Sequence, residues 1–222
     1  MSLETTSLHT ELEAFKSQFQ AQAPQDVQAL MANATQALQD SGLADRALNV
    51  GQTLPDAELI NAKGDTVQLS DLLKSGPLVV TFYRGGWCPY CNLELRAYQQ
   101  HLAEIRDAGA TLVAITPELP DASLSTSEKN ELAFEVLSDV NSAYAKQLNL
   151  VFDLPEELRP IYKSFGIDVE AHNGDGQFAL PLAATYVVGS DGNVASAFID
   201  ADYTKRQEPS EVVAALKRLV TS

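Results

Sequence analysis

Two cysteines, Cys88 and Cys91, stand three residues apart in the sequence Trp-Cys-Pro-Tyr-Cys. Residues 78–83 before them are apolar, β-branched and aromatic, which indicates a buried strand. Pro89 suits the first position of a helix whose N-cap is Cys88. Free amide groups and the helix dipole stabilise a thiolate at such a position, so we expect the pKa of Cys88 to lie below its ordinary value of about 8.5.

Cys91 follows Cys88 by about one helical turn, so the two sulfurs can reach each other. Cys91 also belongs to an apolar stripe with Leu95 and Tyr98, which predicts that it is the less exposed cysteine. An exposed reactive thiol beside a shielded partner is the arrangement that a reversible disulfide needs. Arg84 is close enough in sequence to add positive charge near these sulfurs.

Two other interpretations of the cysteines carry less weight. A free cysteine often serves only as a small buried hydrophobe, but two at this spacing after a strand and glycines favour redox chemistry. A structural zinc site takes about four ligands. The sequence has two cysteines and three scattered histidines. We therefore expect neither a metal nor another cofactor.

The composition limits the partners of the protein. The chain of 222 residues carries a formal net charge of −15, which repels nucleic-acid phosphates. No apolar run approaches the ~20 residues that cross a bilayer. We therefore expect neither nucleic acid nor membrane as a partner. A Cys-x-x-Cys pair fits a reducing compartment, so we expect a cytoplasmic protein.

Residues 1–48 form a predicted N-terminal helical extension. Apolar residues recur at helical spacing in two runs, the first ending before Pro24 and the second before Gly42. Two interpretations stay open. The helices pack on the main domain, or they form the contact of a homodimer.

Strands alternate with helices through the predicted main domain, residues 49–222, and a hairpin and a helix close the chain. Ser190 to Asn193 supply the turn of that hairpin. A capping box at Ser125 and Glu128 predicts the start of one helix, and Asn141 is the predicted cap of the next. This order predicts an α/β fold with a mixed central sheet flanked by helices.

Four segments, residues 82–96, 115–117, 134–139 and 184–192, carry a family resemblance. The chain resembles the alkyl hydroperoxide reductase/thiol-specific antioxidant (AhpC/TSA) family, the peroxiredoxin-like proteins of the thioredoxin-like superfamily. Cys-Pro-Tyr-Cys is itself similar to the active site of glutaredoxins.

The resemblance implies a thioredoxin-like fold, with Cys88 as the peroxidatic thiol and Cys91 as the resolving thiol. It also implies a peroxide substrate. The external reductant that it implies is a thiol such as thioredoxin, glutaredoxin or glutathione.

The chain departs from the peroxiredoxin pattern at three positions. Thr81 and Gly85 stand where those proteins carry proline and then threonine or serine. Ala183 stands near the place of their active-site arginine. Arg84 is the candidate that replaces its charge, so we count it with Cys88 and Cys91 as a candidate catalytic residue.

Three functions stay open from the sequence. The favoured one is a thiol peroxidase, in which Cys88 becomes a sulfenic acid and condenses with Cys91 to a disulfide. The second is a thiol–disulfide oxidoreductase, in which Cys88 attacks a substrate disulfide and Cys91 releases it. The third is a redox-responsive binding module without turnover.

Overall fold

The structure is a computed structural model that describes residues 6–220. Residues 1–5 of the predicted extension and 221–222 of the predicted main domain lie outside the described residues. The α-helices are α1 (Leu8–Gln22), α2 (Gln25–Asp40), α3 (Leu43–Arg46), α4 (Leu69–Leu73), α5 (Pro89–Gln100), α6 (Leu102–Asp107), α7 (Pro120–Lys129), α8 (Ala143–Gln147), α9 (Arg159–Ser164), α10 (Val169–Asn173) and α11 (Pro209–Val220). The strands are β1 (Glu58–Asn61), β2 (Thr66–Gln68), β3 (Leu78–Phe82), β4 (Thr111–Thr116), β5 (Glu135–Ser138), β6 (Val151–Asp153), β7 (Ala179–Pro181), β8 (Ala183–Val188) and β9 (Val194–Asp200).

One mixed sheet organises the fold, with the strand order β2-β1-β5-β4-β3-β8-β9. Strands β3, β4 and β5 run parallel to one another, whereas β8 pairs antiparallel with β3 and with β9. Strands β6 and β7 form a separate antiparallel pair. This is the mixed central sheet that the alternation of strands and helices predicts.

Strand β3 is apolar at every position except Thr81, because both of its faces are buried. Leu78, Val80 and Phe82 face one hydrophobic cluster, which also contains residues of α8. Val79 and Tyr83 face the other cluster, to which α1, α5, α6 and α11 contribute. The strand therefore delivers the loop before α5 to the middle of the molecule.

Helix α7 begins earlier than the capping box predicts. Pro120 occupies its first turn, where the missing N–H of proline costs nothing. Ser125 lies inside the helix, and its hydroxyl donates to the carbonyl of Asp121. The predicted start at Ser125 is therefore wrong.

The predicted cap of α8 is also wrong. Asn141 sits in a short 3₁₀ segment with a φ of 62°. The carboxylate of Asp139 instead accepts hydrogen bonds from the backbone N–H groups of Tyr144 and Ala145. The carboxylate is the stronger acceptor for the free N–H groups at this helix start.

The first N-terminal helix packs on the rest of the chain. Leu8 and Leu12 of α1 are buried in the same cluster as α5 and α11. Phe15 contacts Tyr90 of α5 edge to face, with the ring centroids 5.1 Å apart. A homodimer through these helices stays a prediction. None of the helices within residues 6–220 combines the length and apolar character that crossing a bilayer requires.

The packing of α1 should contribute measurably to the free energy of unfolding of the protein. Leu12 is 3% exposed, so Leu12→Ala should lower the free energy of unfolding by about 2–5 kcal/mol, as large-to-small core changes do. Leu30 on α2 is 38% exposed and is the matched control, with an expected change below about 1 kcal/mol. Urea unfolding measures both. Equal effects of the two variants would show that α1 does not belong to the core.

Candidate active site

The loop before α5 fixes the position of the first cysteine. Cys88 is the N-cap of α5, and the proline after it occupies the first helical turn, as the sequence predicts. The two glycines of this loop, Gly85 and Gly86, leave no room for a larger residue. A Cβ on Gly85 would collide with the indole of Trp87, and one on Gly86 would collide with the hydroxyl of Thr126.

Both cysteines are free thiols and both are buried. Cys88 is 2% exposed and Cys91 is 0% exposed. The expectation of an exposed Cys88 is therefore wrong, although Cys91 is the more buried of the two. Cys88 lines a pocket of about 450 Å³, whereas Cys91 lies behind it and does not reach the pocket.

The expected thiolate at Cys88 is also wrong for the reduced form. Burial raises the pKa of Cys88, and its hydrogen bond with Cys91 raises it further. The side chain of Cys88 accepts no hydrogen bond from the helix N-terminus, so the expected stabilisation is not realised. Burial opposes ionisation of Cys91 as well. The hydrogen bond from Cys88, the guanidinium of Arg206 and that of Arg84 outweigh it and lower the pKa of Cys91 well below its ordinary value.

A buried ion pair lies against the second cysteine. Arg206 donates to Glu94, and its Nη2 lies 3.4 Å from the sulfur of Cys91. Burial raises the pKa of Glu94 from 4.5 to about 7, against the opposing charge of Arg206. Arg206 thus contacts two groups that can carry a negative charge, the carboxylate of Glu94 and the sulfur of Cys91.

Arg84 points into the protein and not toward a surface carboxylate. It is 3% exposed, and its guanidinium lies over the rings of Trp87, Tyr162 and Tyr203 at 5.1, 5.7 and 4.4 Å from their centroids. It also donates to the Tyr162 hydroxyl. No described carboxylate pairs with it. A buried cation needs an anion, and the sulfur pair is the group that supplies one here.

The structure brings Cys88, Cys91 and Arg84 together and adds two residues that the sequence analysis missed. Glu94 could have been identified from the sequence, because a carboxylate three residues after Cys91 lies on the buried face of α5. No sequence pattern indicated Arg206, because the fold brings it to Glu94 across 112 positions of sequence. Within residues 6–220, no group of His, Cys, Asp or Glu is arranged to hold a metal ion.

The model of the AhpC/TSA family matches residues 50–197. The chain belongs to the AhpC/TSA family. This family match covers strands β1 to β8, the first residues of β9 and the helix that carries both cysteines, and it ends before Arg206. Helices α1 to α3 also lie outside it.

Known proteins resemble part of the chain at moderate identity. A chloroplastic peroxiredoxin Q of Populus jackii is 31% identical over 107 residues, which cover 48% of this chain and 50% of that protein. A putative peroxiredoxin of Mycobacterium tuberculosis is 27% identical over 124 residues, which cover 55% of this chain and 80% of that protein. The chain thus matches about half the length of the plant relative.

Solved structures carry the same fold. The crystal structure of the peroxidoxin BcpB from Mycobacterium tuberculosis superposes with a TM-score of 0.61 at 21% identity, covering 78% of this chain and 98% of that one. Peroxiredoxin 6 of Arenicola marina gives a TM-score of 0.63 at 16% identity, covering 78% of this chain and 74% of that one. The expected thioredoxin-like fold is confirmed.

Opposite substitutions in the buried ion pair should move the pKa of Cys91 in opposite directions. A Cys88→Ser background keeps a hydroxyl donor beside Cys91 and leaves one thiol to follow. Arg206→Gln removes a cation and should raise the pKa of Cys91. Glu94→Gln removes the carboxylate that competes for Arg206 and should lower it. The ultraviolet absorbance of the thiolate, followed against pH, measures both shifts.

Arg96→Gln is the matched control on the same helix, because Arg96 is exposed and bonds to Asn130 instead of the sulfurs. The midpoint of the Cys91 titration in this control should equal that of the Cys88→Ser background. Circular dichroism checks that each variant is folded. One common midpoint for all the variants would contradict a Cys91 thiolate held by Arg206.

Proposed function

We propose that this protein is a thiol-dependent peroxidase that reduces hydrogen peroxide or organic hydroperoxides through Cys88. One observation carries the proposal. Cys88 faces a pocket that a small peroxide can enter, while Cys91 stands behind it within hydrogen-bond reach. Membership of the AhpC/TSA family and the peroxiredoxin names of the relatives support it.

The first step uses the sulfur pair as one unit. The Cys88 proton passes to the Cys91 thiolate while the Cys88 sulfur attacks the terminal oxygen of the hydroperoxide. A sulfur–oxygen bond forms, the oxygen–oxygen bond breaks, and Cys88 becomes a sulfenic acid. The leaving alkoxide takes a proton from solvent and departs as an alcohol, or as water when the substrate is hydrogen peroxide. Arg84 stabilises the negative charge that develops on that oxygen.

The second step forms the disulfide. The Cys91 sulfur attacks the sulfenic sulfur of Cys88, and the hydroxyl group leaves with the Cys91 proton as water. The two sulfurs need little movement, because they already share a hydrogen bond. An external thiol reductant then returns both cysteines to the reduced form.

The burial of Cys88 favours a peroxide over a protein disulfide as the oxidant. At 2% exposure, its sulfur cannot meet the disulfide of a folded protein without movement of the residues above it. The same restriction favours a small thiol such as glutathione as the reductant, with thioredoxin or glutaredoxin as the alternatives. We place this reaction in a reducing compartment such as the cytoplasm, which supplies those thiols.

A side-by-side assay tests the proposed function. With glutathione or a thioredoxin system, the protein should consume hydrogen peroxide or cumene hydroperoxide, and Cys88→Ser should lose that activity. Cys91→Ser should still form a sulfenic acid, trapped by dimedone, but more slowly, because the variant lacks the thiolate that takes the Cys88 proton, and it should form no disulfide. Insulin reduction is the contrasting reaction. Rapid insulin reduction with peroxide consumption at background would favour the thiol–disulfide oxidoreductase instead.

Arg84→Met keeps the length of the side chain inside its aromatic surroundings and removes its charge. It should slow the oxidation of Cys88 by about 10²-fold, as the loss of one electrostatic group does in other enzymes. Trp87 is the only tryptophan of the chain and lies next to Cys88, so its fluorescence can follow the reaction.

Arg159→Met is the matched control for this variant. Arg159 lies over the ring of Phe178, 3.8 Å from its centroid, and does not line the Cys88 pocket. Its loss should leave the oxidation rate within a factor of about two, since it makes the same kind of cation–π contact elsewhere. Equal slowing in both variants would contradict a role for Arg84 in the reaction.

A further inference from the structure

Arg84 is a buried cation in the wall of the Cys88 pocket. It is 3% exposed and is the one charged side chain among the described residues that line this pocket of about 450 Å³. Its Nε has no hydrogen-bond partner among the described residues. Buried donors are normally paired, and a buried cation normally has an anion near it. Arg84 therefore depends on the sulfur pair for negative charge.

The electrostatics of the reduced site support that dependence. Burial opposes the charge of Arg84, but the neighbouring Tyr162 and the two sulfurs outweigh burial and raise its pKa. Arg206 lies against Cys91 and also has a carboxylate partner in Glu94. Above the pKa of Glu94, which is about 7, the two guanidinium groups face one carboxylate and one thiolate. The charges of these groups then sum to zero.

Oxidation removes the thiolate from this balance. A disulfide carries no charge, so the described groups of the oxidised site are two guanidinium groups and one carboxylate. That carboxylate belongs to Glu94 and is bonded to Arg206. Arg84 is then a buried cation without an anion, which is a costly state. An anion that enters the pocket lowers this cost.

The start of α5 is a second feature of the pocket that favours an anion. The helix begins at Pro89, and none of the described side chains caps its N-terminus. Cys88 and Pro89, on either side of this start, both line the pocket. A helix N-terminus presents free N–H groups and the positive end of the helix dipole, and both stabilise negative charge. Arg84 and this helix end therefore act on the same space.

We propose that oxidation of the cysteine pair converts the Cys88 pocket into a binding site for a small monovalent anion, held by Arg84. The inference rests on the proposed function, since the disulfide that creates the site is the product of that reaction. It goes beyond that function because it assigns the oxidised form a ligand of its own. In the reduced form the thiolate already balances Arg84, so the anion binds weakly there.

This site selects the reductant by its charge. The thiolate of a small thiol attacks the sulfur of Cys88, which faces the pocket, and Cys91 leaves as a thiolate next to Arg206. A second thiolate attacks the sulfur of the bound thiol. The two thiols then leave joined as a disulfide, and the released Cys88 sulfur takes a proton from solvent. A thiol that carries an anionic group is favoured, against the repulsion from a net charge of −15.

Iodide quenching of fluorescence tests the anion site. Trp87 is the only tryptophan of the chain and lines the pocket, and its ring centroid lies 5.1 Å from the guanidinium carbon of Arg84. Iodide is an anionic quencher and acrylamide an uncharged one, so the ratio of their quenching constants separates attraction of an anion from access. Above the pKa of Glu94, oxidation by diamide should raise this ratio about 10-fold, the effect of one hydrogen bond to a charged group.

Arg84→Met should abolish the rise, because it keeps the length of the side chain and removes the charge. Arg159→Met is the matched control and should keep the rise, since Arg159 contacts the ring of Phe178 and does not line the pocket. A rise that persists in Arg84→Met would overturn the assignment to Arg84. Equal ratios in reduced and oxidised wild type would overturn the anion site, and that comparison needs no variant to fold.

The rates of disulfide reduction give an independent measurement. Compared at equal thiolate concentration, 2-mercaptoethanesulfonate should reduce the oxidised wild type faster than 2-mercaptoethanol, and cysteamine should be the slowest. Arg84→Met should abolish this preference. The reverse order in the wild type is what the net charge of the chain alone would produce, and it would overturn selection by Arg84. Because diamide forms the disulfide, failure to consume peroxide would overturn the proposed function alone.

Discussion

The site depends on one proton shared between two buried sulfurs. Arg84 and Arg206 are both buried beside the pair, and isolated buried cations are costly. Arg206 has a carboxylate partner in Glu94, whereas no described carboxylate pairs with Arg84. A single negative charge on the sulfur pair balances the site, and the hydrogen bond between the Cys88 thiol and the Cys91 thiolate holds the one remaining proton. The reduced site is therefore poised for one proton transfer inside the pair.

The fold separates the two tasks of this pair. Cys88 lines the pocket and meets the oxidant, whereas Cys91 lies deeper, against Arg206 and Glu94, and stabilises the charge. Strand β3 and the loop after it position the sulfur of Cys88. The segment before α11 positions Arg206 beside Cys91. The N-terminal helices close the apolar side of the pocket, so the environment of Cys88 depends on parts of the chain that lie beyond the AhpC/TSA match.

Local signals in the sequence were enough for the fold and for the two cysteines. The apolar run of β3, the proline after Cys88 and the turn at 190–193 act over a few residues, so their structures follow from the sequence. The charge at the site does not follow, because it depends on burial and on Arg206, which is remote in sequence. Thus the helix N-terminus indicated the wrong thiolate, and the burial of Cys88 beneath side chains from other helices could not be foreseen.

The position of the thiolate can be observed directly. ¹³C NMR of the reduced protein, labelled at the cysteine Cβ atoms, follows each thiol separately against pH. The Cys91 signal should titrate well below the ordinary range of a thiol, while the Cys88 signal should change only at higher pH. A Cys88 signal that titrates first, with Cys91 unchanged, would contradict the shared-proton site. It would show that Cys88, at the helix N-terminus, is the thiolate.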